Sequence, residues 1–230
     1  MAEMTRLLIE KRWTLFVDGE NFTKRGQDVL EEANLRPVKE SAWRKDVFLW
    51  LPGVPATTPF ISPFRPYFPT LDAGPPPRVA PAATRAYYYS STTSDEPEWT
   101  EARLMMRDNG FEPRLFKRVR GRSKAVDLAL ATDVLTLAGE GQYDVAVIFA
   151  GDGDYVPVVE AVKRLARHVV VGFFAGKGRG LSDELRIAAD DFVDLTPHLI
   201  TRWRSDHEKR DRDAVIAANA ATAAAAATES

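Results

Sequence analysis

The sequence predicts an α/β protein built on a doubly wound, mainly parallel sheet. Three observations carry this expectation. Short apolar runs end abruptly at an acid beside a glycine: W-T-L-F-V stops at Asp18-Gly19, and V-A-V-I-F-A stops at Gly151-Asp152-Gly153-Asp154. Such runs, bounded by turn residues, read as strands buried on both faces. Helical periodicities separate these runs, and strands that alternate with helices build parallel sheets. Finally, 45% apolar residues in 230 supply the core of one ordinary domain with extensions, or of two small ones.

Taken in order, Trp13–Val17 is the first strand. Phe22–Asn34 follows as a helix with Val29, Leu30 and Ala33 on one side, and Pro37 breaks the chain. From about 46 to 82 the character changes. Ten of the fifteen prolines lie there, among Phe48, Trp50, Phe60, Phe64, Tyr67 and Phe68. Proline at that density opposes helix and central strand, so the stretch reads as a surface insertion or flexible loop. Its aromatic residues argue against a purely solvated linker and suit packing on the domain or a surface for a protein partner. Thr84–Ser90 reads as a strand. Glu96–Asn109 reads as a helix with Pro97 in its first turn and Gly110 just past its end. Phe111–Val119 is a further strand, weakened by Pro113.

Ala125–Ala138 is an amphipathic helix whose stripe is Val126, Leu130, Val134 and Leu137. Asp154 suits an N-cap for a helix over Tyr155–Ala166, which tolerates Pro157 near its start. Val169–Phe174 is another buried strand, and Gly176–Gly180 a basic glycine loop. Ser182 suits the cap of a helix to Ala189, and Phe192–Leu195 a last short strand. Residues 197–213 form a charged extension. In Ala214–Ala227 ten of fourteen residues are alanine, a helix-prone low-complexity tail with no core of its own.

The totals exclude several classes. A net charge of −2 is not that of a bulk polycation, so nucleic-acid binding would need a local patch. With no cysteine there is no disulfide, cysteine nucleophile or cysteine-type zinc site. The opening M-A-E-M-T-R-L-L-I-E-K-R has too short an apolar core for a signal peptide, and no run approaches the roughly 18 apolar residues of a membrane span. The expectation is a cytoplasmic protein with no membrane association. Its oligomeric state is not readable from the sequence.

A lone aspartate after a strand is usually a turn former or a cap. Here Asp18, Asp127, Asp152 and Asp154 are all expected near one sheet edge, the carboxyl edge where open α/β sheets bind ligands. Grouped like charges are costly unless a cation neutralises them. Oxygen donors without a nearby histidine favour Mg2+ or Mn2+ over zinc. Other motif readings fit less well. D-G-D lacks the further acids of an EF-hand loop, and G-K-G-R-G lacks the hydroxyl residue of a phosphate loop. D-G-D-Y-V resembles the nucleophile motif of haloacid-dehalogenase-like phosphatases, which opens its domain, whereas here it stands at 152. Arg114–Lys124 holds six basic residues in eleven and leads into the helix bearing Asp127. A positive rim of Lys117, Arg118, Arg120, Arg122, Lys124, Lys177 and Arg179 around an acidic centre suits a polyphosphate backbone. Phe22 and Tyr155 suit base stacking or the core.

The segments V-D-G-E-N-F at 17–22, K-A-V-D-L-A-L-A-T-D at 124–133 and A-G-D-G-D-Y-V-P at 150–157 resemble the three main motifs of NYN domains, which belong to the PIN-like ribonucleases. A-Y-Y-Y-S at 86–90, Ser182 with Leu185, and A-D-D-F-V-D-L at 189–195 extend the resemblance, which runs from about 12 to 196. It implies a three-layer α/β/α sandwich with a mainly parallel sheet. It also implies an acidic pocket for Mg2+ or Mn2+ and hydrolysis of RNA by a metal-activated water. On it, Asp18, Asp127, Asp152 and Asp154 match the metal-binding and catalytic aspartates, and Asn21 the asparagine of the first motif. Asp133 matches the second helix aspartate, and with Ser182 implies a supporting role. Ala150 departs from the family's frequent serine, and the 46–82 insertion is unusually long. The alternatives are a non-catalytic RNA-binding or regulatory module of the same fold, or a small-molecule phosphatase.

Overall fold

The computed structural model describes residues 12–37, 42–57, 85–118, 124–176, 178 and 180–228. Its elements are β1 (Trp13–Asp18), α1 (Gly19–Glu32), β2 (Trp43–Arg44), β3 (Phe48–Leu49), β4 (Arg85–Thr92), α2 (Glu96–Asp108), β5 (Glu112–Lys117), α3 (Lys124–Gly139), β6 (Val145–Phe149), α4 (Val156–Arg164), β7 (His168–Phe173), α5 (Asp183–Ala188), β8 (Asp191–Asp194) and α6 (Thr196–Thr228). A single 3-10 turn, Gly153–Tyr155, joins β6 to α4. The six-stranded sheet has the order β5-β4-β1-β6-β7-β8, with every neighbouring pair parallel. Helices cover both faces, which makes the α/β/α sandwich.

Strand parity sorts the core into two faces. On β1, Trp13, Leu15 and Val17 join one apolar cluster, and Phe16 joins the other. In A-Y-Y-Y-S, Ala86 and Tyr88 face α1 and α2, while Tyr87 and Tyr89 face α3. The helix stripe of α3 is as expected through Val126, Leu130 and Val134, but its next buried member is Ala138. Pro113 is accommodated because β5 is an outermost strand, where one missing N–H is tolerated.

The 46–82 reading needs correction in its first part. Val47, Phe48, Leu49, Trp50, Leu51 and Ala56 are buried in the main core, not on a surface insertion. Strands β2 and β3 form a small hairpin that packs over α1 and β4. The Tyr88 hydroxyl accepts from the Leu49 N–H at 3.2 Å, and Ser90 Oγ donates to the Val47 carbonyl at 2.7 Å. Trp50 packs edge-on against Phe111 with centroids 4.7 Å apart. Phe48 and Trp50 are therefore not a partner surface; Phe60, Phe64, Tyr67 and Phe68 lie outside the described residues. The charged extension also contributes to the core, since Leu199 and Trp203 of α6 are fully buried. Beyond them, residues 211–222 of α6 are exposed.

Trp50→Ala is expected to cost about 3–5 kcal/mol, because it opens a cavity among Phe22, Phe111 and Phe149. Urea unfolding measures this; a loss below about 1 kcal/mol would place the hairpin outside the core.

Candidate active site

Strand β1 ends in a buried acid. The chain turns directly from Asp18 into α1, and the Asp18 side chain caps that helix, with Oδ1 accepting from the Asn21 N–H at 3.1 Å. Asp18 shares parity with Phe16, so it lies on the α3 face of the sheet, and it is only 3% exposed. The turn requires glycine at 19, where any β-carbon would run into the Tyr88 ring and the Tyr89 carbonyl. The same holds after β6, where Gly151 abuts Phe173 and the Gly180 carbonyl. Strands β1 and β6 are neighbours, and the chain winds outward from them in opposite directions. The two acid-bearing turns thus stand at the topological switch point.

Four of the expected acids share this edge. Asp127 lies in the first turn of α3, where a carboxylate also suits the helix dipole. Asp152 caps the 3-10 turn through Oδ1, which accepts from the Asp154 N–H at 3.0 Å. Asp127, Asp152 and Asp154 are exposed. The Tyr155 hydroxyl lies 3.2 Å from Asp18 Oδ2 and 3.2 Å from Asp127 Oδ1, in donor position to both. Burial, then the negative charges of Asp127 and Glu20, push the Asp18 carboxyl up to about 7, against the lowering hydrogen bonds from Asn21 and Tyr155. Partial burial raises Asp127 too, reinforced by Glu20, Asp152 and Asp154 and opposed by the Tyr155 hydrogen bond. The acids therefore form one electrostatic group. Among the described residues, however, no three of them stand close enough to hold an ion as they are.

Glu20 was not among the candidates from sequence, although its place in D-G-E-N was the available signal. It sits in the first turn of α1 and is bound by Ser91 Oγ and by Arg118 Nη2, the latter at 3.1 Å. Arg118 Nε also donates to Ser91 Oγ at 2.9 Å. Arg118, expected on a free positive rim, is thus engaged with Glu20. Lys117 is exposed, pairing loosely with Glu96 at 3.7 Å and lying over the Trp99 ring. Lys124 opens α3; Arg120, Arg122, Lys177 and Arg179 lie outside the described residues. Asp133 joins a different group, accepting from the Tyr89 hydroxyl at 2.9 Å and from Arg114 Nε at 3.2 Å. Ser182 supports the acid loop: its N–H donates to the Gly151 carbonyl at 2.8 Å and its Oγ caps α5. Phe22 and Tyr155 are both buried, and Phe22 stacks on Phe149, so neither ring is placed to receive a base.

Comparison with known proteins gives a consistent picture. The NYN domain family model matches residues 12–196. A crystal structure of a protein of unknown function from Vibrio parahaemolyticus superposes with a TM-score of 0.52 at 19% identity, over 81% of this chain and 94% of that one. That likeness concerns the fold alone. A structure from Parabacteroides merdae reaches a TM-score of 0.30 at 8% identity over 78% and 28%, too low to carry an argument. No curated protein matches the chain.

The raised Asp18 carboxyl has a sign that can be tested. Below its ordinary value of 3.8 the acid is protonated in both folded and unfolded chains. Between there and about 7 only the unfolded chain ionises, so stability falls as pH rises, and it levels off above. Asp18→Asn keeps a good N-cap and removes the buried charge. Its melting temperature in chelator is expected to exceed wild type by roughly 5 °C at pH 8 and to match it near pH 4. A gain independent of pH would refute the assignment.

Proposed function

The chain belongs to the NYN domain family, whose members are generally nucleases, and on that premise we propose that it is a ribonuclease hydrolysing RNA phosphodiester bonds with Mg2+ or Mn2+. The observation that carries the reading is the buried Asp18 at the sheet's switch point, coupled to Asp127 and Glu20, with Asp127 coupled in turn to Asp152 and Asp154. The donor set fits a hard divalent cation. It is all carboxylate oxygen, and Asp18 and Asp127 are both held short of easy ionisation by burial and, after it, by neighbouring negative charge. Asp18, Asp127, Asp152 and Asp154 would hold the ion. When bound, it supplies a water of lowered pKa and offsets charge developing on the scissile phosphate.

The residues divide the remaining work. Asp18 is fixed by the start of α1 and gives the site its rigid point. Asp152 and Asp154 are exposed on a short turn, where Asp152 keeps Oδ1 on the Asp154 N–H and both carboxylates would turn toward a ligand. Asn21, whose N–H binds Asp18, would orient a water or a phosphate oxygen. Arg118 holds Glu20 in its bonded position, which lowers the net negative charge that an approaching RNA backbone meets. Lys117 and Lys124, with Arg120, Arg122, Lys177 and Arg179, guide the strand, and their contribution should fall as salt rises. The absence of cysteine suits a reducing, cytoplasmic setting. No helix among the described residues is long and apolar enough to cross a membrane.

Purified protein incubated with single-stranded and structured RNA is expected to cleave with Mn2+ or Mg2+ and to stop on chelation. Asp152→Asn is expected to lower the rate on the order of 100-fold. Cleavage that survives both treatments would exclude this mechanism. RNA retention without cleavage would favour a binding module, and phosphomonoester hydrolysis without RNA cleavage a phosphatase.

A further inference from the structure

One polar group at this edge has no counterpart among the acids and basic residues already assigned. The Tyr155 ring is buried, 3% exposed, yet its hydroxyl ends between Asp18 Oδ2 and Asp127 Oδ1, 3.2 Å from each. One hydroxyl proton is thus shared by two carboxylates that repel each other. The two acids differ in how firmly they are otherwise held. Asp18 is gripped by the Asn21 N–H and by strand β1. Asp127 is exposed, and among the described residues its carboxylate takes no hydrogen bond except the one from Tyr155. Tyr155 itself is not free to move. It closes the 3-10 turn, its N–H donates to the Asp152 carbonyl, and its ring packs in the cluster of Phe16, Leu130 and Val159.

We propose that Tyr155 is a positioning residue that presets Asp18 and Asp127 as a pair for a divalent cation. The inference rests on the reading of this edge as a cation site. The hydroxyl ties the exposed acid to the buried one and sets their spacing, so less order has to be imposed when an ion arrives. Donors to ligating groups typically tune cation affinity by one to two orders of magnitude. The same residue ties the third arm of the site to the first two, because Asp152 and Asp154 lie on the turn that Tyr155 ends. The role belongs to the hydroxyl, not to the ring.

The test is Mn2+ binding followed by electron paramagnetic resonance on wild type, Tyr155→Phe, Asp127→Asn and the double variant, with melting temperatures alongside. Tyr155→Phe is expected to keep the ring's packing and to weaken Mn2+ binding about tenfold. It should raise the Mn2+ concentration needed for half-activity while leaving the KM for RNA unchanged. In the Asp127→Asn background the same change should cost much less, because the hydroxyl acts through Asp127. Wild-type Mn2+ affinity in Tyr155→Phe, or an equal loss in both backgrounds, would overturn the positioning role alone. A wild-type protein that binds no Mn2+ would bring down the cation site and this role together.

Discussion

A carboxylate buried at the end of the central strand constrains everything around it. Asp18 cannot leave the sheet, because β1 is flanked by β4 and β6 along its length. It cannot reach water readily either, being 3% exposed. The surroundings answer with donors from elsewhere: the Asn21 N–H in the first turn of α1 and a tyrosine from the turn after β6. These partly offset the cost of burial, and the remaining strain appears as a carboxyl that resists ionisation up to about 7. The glycines at 19 and 151 follow from the same requirement, since both turns must bend tightly against aromatic rings to bring their acids to this edge.

Much of the fold was legible because its signals are local. The inner strands β1, β6 and β7 are apolar runs and β4 carries a tyrosine run, and each helix has a stripe, a cap or a proline in its first turn. The acids were legible for a related reason. The place of a residue at a strand's end or in the first turn of a helix fixes its place in the fold: Asp18 and the pair at 152 and 154 follow strands, and Asp127 opens α3.

What stayed hidden depends on tertiary contact. Strands β2 and β3 have two residues each, too short for any period to register, and their burial comes from aromatic packing against residues far along the chain. Tyr155 could equally have been core or site, and it is both, ring in one and hydroxyl in the other. Glu20 reads as an ordinary first-turn acid until Ser91 and Arg118 are seen around it. The basic run likewise reads as a uniform patch, whereas its described members differ: Arg114 serves Asp133 and Arg118 serves Glu20.

The hairpin also has a temporal consequence. Phe48 and Trp50 belong to a cluster completed by Tyr88, Phe111 and finally Trp203. During vectorial synthesis these aromatic side chains leave the ribosome after Phe22 but long before Tyr88, Phe111 and Trp203 exist. That face of the sheet stays open until nearly the whole domain has emerged, and closing it joins segments far apart in the chain, which makes such steps slow. The α3 face also draws on Phe16, Tyr87 and Tyr89, but its last buried member is Ala189, ahead of Leu199 and Trp203 on the other face. The two halves of this core thus have different earliest moments of assembly, with the half holding the hairpin second.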